Sequence, residues 1–189
     1  IAGISDNRAV GELHVDTHAI IEDAAGIVVQ KKGAWCALPA PHVLGVQDAY
    51  YDDETEWSAA ICGVYRTIMR VMRDTGVAGH VLIADRMDNA ELAALARQNA
   101  FFFATAQERR DLATLLEYQQ LVAVAKDQLQ MLFDLMNEYS VRKIFIIDPD
   151  KVSIGQVLSH LDPDQVLAGG YCMNDCGDYW KKLTEDAVY

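Results

Sequence analysis

Five short apolar runs punctuate the chain from residue 80 onward. Each spans four or five residues, is apolar almost throughout, and is followed directly by a polar residue or a pair of glycines. Runs of this length and composition are typical of strands buried on both faces of a parallel sheet. The predicted strands are residues 80–84, 100–104, 121–125, 143–147 and 165–168.

A helix-start pattern follows each of the first four runs. A capping residue followed three positions later by Glu or Gln satisfies two free backbone N–H groups at a helix N-terminus. The four pairs are Asp88 and Glu91, Thr105 and Glu108, Asp127 and Gln130, and Ser153 and Gln156. The repetition of strand, capped turn and helix predicts a three-layer α/β fold with a mainly parallel sheet of about five strands, flavodoxin-like or Rossmann-like in outline.

Residues 106–139 admit a second interpretation. No Gly or Pro separates Gln120 from the preceding helical pattern, so the segment could form one long helix that contains residues 121–125. A helix of that length would be unusual in a compact domain. We therefore favour a strand at 121–125, with a new helix beginning near Asp127.

The clearest predicted helix begins near residue 53. Asp53 and Glu56 match the capping pattern, apolar residues recur at helical spacing, and Gly76 is suited to end the helix. Its outer face carries three arginines, for which a solvated surface is the favoured interpretation. These are Arg66, Arg70 and Arg73.

The first 52 residues follow a different pattern. Residues 27–30 and 34–38 flank a Gly-containing turn and predict a β-hairpin, and residues 42–47 predict a further strand. We expect residues 1–52 to form an extension packed on an α/β domain at 53–189.

Composition narrows the partners that we expect. The 189 residues are 51% apolar, and Asp and Glu outnumber Lys and Arg by 28 to 16, for a net charge of −12. The negative electrostatic potential of such a chain disfavours binding to nucleic acids and to anionic membranes. No apolar run reaches the roughly 20 residues of a membrane helix. Four irregularly spaced cysteines in a chain that can bury a large core favour a reducing, cytoplasmic setting.

A candidate ligand site lies where the predicted parallel strands end. In open parallel sheets, ligands bind outside the carboxyl ends of the strands, beside helix N-termini that attract anions. Carboxylates there can hold Mg²⁺ or transfer protons, a lysine adds positive charge, and a cysteine can act as a nucleophile. The candidate ligand-binding residues are Asp85, Thr105, Lys126, Asp148, Asp150 and Cys172.

The stretch ELHVDTH is a candidate metal site. As a strand it would place His14, Asp16 and His18 on one face, a set suited to Fe(II), Mn(II) or Zn(II). As a helix it would still bring the two histidines together, at positions i and i+4, but Asp16 would point away. A solvated polar face is the favoured interpretation, because amphipathic elements need such faces. The sequence leaves the cofactor open, and a divalent metal is one that these residues could hold.

These patterns favour a protein that binds a small anionic metabolite or nucleotide at the strand ends, as a sensor or regulatory module. One alternative is a metal-dependent hydrolase or lyase that uses His14, His18 and the carboxylates at the strand ends. Another is an interaction or scaffold subunit, and self-association into a homo-oligomer also stays open. No dinucleotide fingerprint, P-loop or GxSxG motif is present, so the sequence does not decide whether the chain is an enzyme.

Overall fold

A computed structural model describes residues 1–104, 108–172 and 176–186. The chain divides into two compact units, Ile1–Thr105 and Ala106–Tyr189. The sequence-based boundary after residue 52 therefore falls inside the first unit. The reason is that a strand from the N-terminal 52 residues belongs to the same parallel sheet as the strands at 79–84 and 100–104.

Over residues 1–104, the first unit contains six strands, three α-helices and one 3₁₀ turn. The strands are β1 (Ala2–Ser5), β2 (Arg8–His14), β3 (Trp35–Pro39), β4 (Gln47–Asp48), β5 (Gly79–Ala84) and β6 (Ala100–Ala104). The helices are α1 (His18–Gln30), α2 (Glu54–Asp74) and α3 (Asn89–Leu95), and the 3₁₀ turn is Pro41–Leu44.

These six strands form two sheets. β3, β5 and β6 are parallel in that order, with Trp35 opposite Gly79 and His80 opposite Ala100. β2 pairs with β1 in the antiparallel sense and with β4 in the parallel sense. The first sheet places the ends of β3 and β5 side by side, and these ends position the site described below.

The predicted hairpin at residues 27–38 is wrong. Residues 27–30 are the last turn of α1, and β3 is parallel to β5. The helix prevails because Ile20, Ala24 and Val28 lie one turn apart on one face and pack in a cluster with Cys36, Met72 and Val77. The predicted strand at 42–47 is also wrong, since the 3₁₀ turn covers residues 42–44 and a strand begins only at Gln47.

The predicted helix near residue 53 is confirmed as α2. Asp53 caps it, its carboxylate accepting a hydrogen bond from the Glu56 N–H at 2.7 Å. The helix ends at Asp74, and Gly76 follows with a φ of 115°, a left-handed conformation that glycine adopts without strain. Six buried side chains on one face of α2 form part of the core.

The second unit alternates helices and strands. Its strands β7 (Leu121–Ala125), β8 (Lys143–Ile147) and β9 (Val166–Gly169) are parallel in that order. Its helices are α4 (Arg109–Tyr118), α5 (Leu129–Leu135), α6 (Lys151–Leu158) and α7 (Gly177–Asp186). The strand at 121–125 is thus confirmed and the alternative long helix over 106–139 is wrong, because the apolar run pairs with β8 along its whole length.

Two predicted caps in this unit lie elsewhere. α6 is capped by Asp150, three residues before the predicted Ser153, whose N–H donates to the Asp150 carboxylate at 2.8 Å. Gln128 rather than Asp127 precedes α5, because a 3₁₀ turn at Lys126–Gln128 intervenes. The predicted cap Thr105 lies outside the described residues.

The fold is therefore α/β, with two parallel sheets of three strands each rather than one flavodoxin-like sheet of five. Within the described ranges, no helix is long and apolar enough to cross a membrane.

Candidate functional site

A buried histidine–carboxylate pair lies beyond the end of β3. His42, in the 3₁₀ turn, and Glu91, in the first turn of α3, have side chains that are 5% and 6% exposed. The Nδ1 atom of His42 is 2.8 Å from Glu91 Oε2, and the His42 backbone N–H donates to Glu91 Oε1 at 2.8 Å. Two contacts from one residue to both oxygens of a buried carboxylate hold the imidazole in one orientation.

The other ring nitrogen faces the end of β5. Nε2 of His42 is 3.0 Å from Oδ1 of Asp85, whose side chain is 69% exposed. Both ring nitrogens of His42 therefore lie within hydrogen-bond distance of a carboxylate, and each can donate or accept according to the tautomer. One ring nitrogen of His42 therefore contacts a buried carboxylate and the other contacts a mostly exposed one.

Local sequence explains why Glu91 reaches His42. The Asp88 carboxylate caps α3 by accepting from the N–H groups of Ala90 and Glu91 at 3.0 and 3.1 Å. The predicted cap at Asp88 is thus confirmed, but the Glu91 side chain turns to His42. A buried carboxylate is stabilised more by two N–H donors than by solvent-exposed backbone.

Burial shapes the ionisation of this region. It raises the pKa of the Glu91 carboxyl, and hydrogen bonds from His42 oppose that effect. It also raises the pKa of the Cys62 thiol to about 11, with a further contribution from the charge of Glu91. Cys62 is therefore a protonated, buried thiol near neutral pH and is unsuited to act as a nucleophile.

A cleft of about 700 Å³ opens beside His42. Its walls come from the segment after β3, the N-terminal half of α2, the segment after β5 and α3. Two arginines line it, Arg66 and Arg86, and Arg86 lies 3.7 Å from the Asp88 carboxylate. We call this space the rim cleft. It lies at the C-terminal ends of parallel strands, where the sequence predicts a ligand site.

The predicted ligand-binding residues divide between the two units. Asp85 belongs to the first unit. In the second, Lys126 Nζ lies 3.0 Å from Asp150 Oδ2. The Tyr179 hydroxyl donates to Asp148, which follows β8 with a φ of 51°. Asp150 has a structural task as the cap of α6. The hydrogen bond from the Ser153 N–H, and then the one from Lys126, lower the pKa of its carboxyl to about 2.

The other two predicted ligand-binding residues are placed differently. Thr105 lies outside the described residues. Cys172 forms a disulfide with Cys176, whereas the predicted nucleophilic role requires a free thiol. A sulfur held in a disulfide is not a thiolate nucleophile. A nucleophilic role for Cys172 would first require reduction of this bond.

The candidate metal ligands do not converge. His14 ends β2 and His18 begins α1, so the stretch is neither one strand nor one helix. Each histidine contacts a glutamate of its own element, at 3.8 Å for Glu12 and 3.5 Å for Glu22. Asp16 instead accepts a hydrogen bond from the His18 N–H at 3.0 Å. Across the described part of the chain, no three His, Cys, Asp or Glu side chains form a metal-binding group.

Sequence patterns did not reveal the pairing of His42 with Glu91. Glu91 fits a capping pattern and His42 lies in a predicted strand, so each has a local explanation. The two are 49 positions apart. A polar residue shortly after a strand is the one local signal that His42 offers.

The fold is similar to that of a solved structure from Listeria monocytogenes, a protein provisionally assigned as a vitamin-B12 independent methionine synthase. The TM-score is 0.66, with 94% of this chain and 70% of the other covered, at 14% sequence identity. A likeness with so few identical residues is one of fold alone. No protein-family model matches the chain, and no curated protein matches it.

Proposed function

We propose that the chain binds a small molecule with an anionic group in the rim cleft, and that His42 exchanges a proton with it. The observation that carries this proposal is the buried Glu91 carboxylate holding the His42 ring, with Nε2 directed at an exposed partner. A histidine held in this way is a common proton donor and acceptor near neutral pH.

The anion would bind to His42 by displacing the Asp85 carboxylate from Nε2. An ion pair with a mostly exposed carboxylate is worth about 1 kcal/mol or less. A ligand carboxylate or phosphoryl oxygen in the less exposed cleft can replace Asp85 on Nε2 of His42 at little cost. Arg66 and Arg86 line the same cleft beside Glu54, Asp88 and Glu91, and these two arginines supply the positive charge for an anion.

The position of the cleft supports the same function. Doubly wound α/β proteins bind ligands outside the carboxyl ends of their strands. Asp85 follows β5 directly, and His42 lies three residues after the end of β3. We extend the proposal to a sensor or regulatory role in which a metabolite is the ligand. Because the Listeria neighbour is provisionally assigned as a methionine synthase, methionine is one probe to test.

Binding calorimetry tests the proposal with four probes: methionine, citrate, inorganic phosphate and AMP. We expect at least one to bind the wild-type chain. We expect His42→Gln and Arg86→Gln each to weaken that binding about tenfold or more, the effect of losing a charge-assisted hydrogen bond. Arg110→Gln, an exposed arginine of α4, is the matched control and should leave binding unchanged.

Asp85→Asn gives the sharpest result. Removing the carboxylate that competes for His42 should strengthen binding by a few-fold, since the exposed pair is worth at most about 1 kcal/mol. Equal affinity of the wild type and His42→Gln for every probe that binds would refute the proposal. So would weaker binding in Asp85→Asn, or the failure of all four probes to bind.

A further inference from the structure

A second cleft in the first unit is lined by four arginines. It encloses about 520 Å³ between the C-terminal half of α2, the end of α3 and the start of β6. α2 supplies three of the arginines and the segment after α3 supplies the fourth. We call this space the arginine cleft, and its arginines are Arg66, Arg70, Arg73 and Arg97. Arg66 also lines the rim cleft, whereas the other three arginines line the arginine cleft alone.

The three arginines of α2 concentrate positive charge on one face. Arg66 and Arg70 are four residues apart, and Arg73 follows three later, so the three lie in one row. Like charges at this spacing repel one another and destabilise a helix. Among residues 1–104, 108–172 and 176–186, no carboxylate forms an ion pair within 4.0 Å with any of them; the paired arginines are Arg86 and Arg109.

Arg97 is already oriented. Its Nη1 atom donates to the carbonyl oxygens of Ala93 and Ala96, at 3.2 and 2.6 Å. These bonds leave its Nε and Nη2 hydrogens for another acceptor. A guanidinium fixed before binding loses less rotamer entropy when an anion arrives.

A buried histidine adjoins the arginine cleft. His80 is 0% exposed, and neither ring nitrogen has a hydrogen-bond partner among the described residues. Its backbone N–H donates to the carbonyl of Asn99 at 2.9 Å, and its opposite residue in the sheet is Ala100. Asn99 and Ala100 both line the cleft. Burial lowers the pKa of the His80 imidazole, and the positive charge of Arg73 lowers it further.

The lining indicates the class of ligand. Planar guanidinium groups bind phosphoryl oxygens in pairs, and several arginines match a ligand with several such oxygens. The remaining lining residues are small, aliphatic or polar, with no aromatic ring on which a base would stack. We propose that the arginine cleft binds a compact polyanion with two or more phosphoryl groups, at a site separate from His42.

Calorimetry with inorganic pyrophosphate tests this proposal on the full chain. We expect binding that weakens as ionic strength rises, because the arginines of the cleft are largely exposed. Arg70→Gln with Arg73→Gln should lower the affinity about tenfold or more, from the loss of charge-assisted hydrogen bonds. Arg70→Lys with Arg73→Lys should lie between these limits, since it keeps the charge and loses the paired geometry.

Two controls locate the binding. Arg109→Gln with Arg110→Gln removes two exposed arginines from α4 and should not change the affinity for pyrophosphate. His42→Gln should not change it either, which separates this site from the rim cleft. In an NMR titration of the five histidines, pyrophosphate should move the His80 ring signals and leave those of His14, His18 and His160 in place.

Three outcomes would overturn the proposal. One is the absence of pyrophosphate binding at low ionic strength. Another is unchanged affinity in the Arg70→Gln, Arg73→Gln double variant, provided that its circular dichroism and melting temperature match the wild type. The third is a loss of pyrophosphate binding in His42→Gln, which would place the anion in the rim cleft.

Discussion

Replacing His80 is expected to change how the first unit responds to acid. The side chain is fully buried on β5, and its two ring nitrogens have no hydrogen-bond partner among the described residues. Burial first, and then the charge of Arg73, lower the pKa of His80 from 6.5 to about 4. The native state therefore holds His80 neutral at a pH where the unfolded chain already protonates it.

This difference sets the sign and size of the effect. Between the unfolded value of 6.5 and the folded value of about 4, the unfolded state binds more protons, so stability falls as pH falls through that window. At 1.36 kcal/mol per pH unit, the full loss is about 3 kcal/mol. About 2 kcal/mol of it has been lost at about pH 5, and almost none at about pH 7.5.

His80→Leu removes the titrating group while keeping a similar volume. At about pH 7.5 we expect the variant to be at least as stable as the wild type. Burying polar atoms without partners costs about 1–3 kcal/mol, whereas a volume-conserving repacking usually costs less than about 1.5 kcal/mol. At about pH 5 the variant should be more stable by about 2 kcal/mol beyond any difference at about pH 7.5.

Urea unfolding followed by tryptophan fluorescence measures these differences. A Trp180→Phe background leaves Trp35 and Trp57 as reporters, both in the first unit. Comparing the pH dependence of the variant with that of the wild type cancels the contributions of the carboxylates. His14→Leu, an exposed histidine of the same unit, should keep the wild-type dependence. The reasoning is refuted if His80→Leu loses as much stability as the wild type between about pH 7.5 and about pH 5.

Three further predictions concern other parts of the chain. Gly79→Ala should cost about 1–3 kcal/mol in a urea titration, because the new Cβ would meet a carbonyl oxygen and an indole ring at 2.7 Å; unchanged stability would contradict this. Reducing the Cys172–Cys176 disulfide should cost at most about 2 kcal/mol in thermal unfolding, because the closed loop is short; a much larger loss would show another role for the bond. Elemental analysis should find equal metal content in the wild type and in His14→Ala/His18→Ala, because each histidine is turned to its own glutamate; a stoichiometric metal lost in the variant would restore the predicted site.

Local patterns predicted much of the secondary structure. The apolar runs at 121–125 and 143–147 are strands, and the helix near residue 53 begins at its predicted cap. These features depend on residues within a few positions of one another, so a single sequence contains the required information. The predicted strand at residues 27–30 was wrong because a short apolar run of this length fits the end of a helix as well as a strand.

The candidate sites were set by pairings that no local pattern encodes. The sequence indicated that a site should lie after the strands, and the rim cleft lies there. It did not indicate that β3 would run parallel to β5, and this pairing brings His42 to Asp85 across 43 positions. The arginines of α2 follow from helical spacing alone, but their role depends on α3 placing Arg97 across the cleft. Helical and strand periodicity depends on near neighbours and can be read along the chain, whereas the contacts that make a site depend on how distant segments pack.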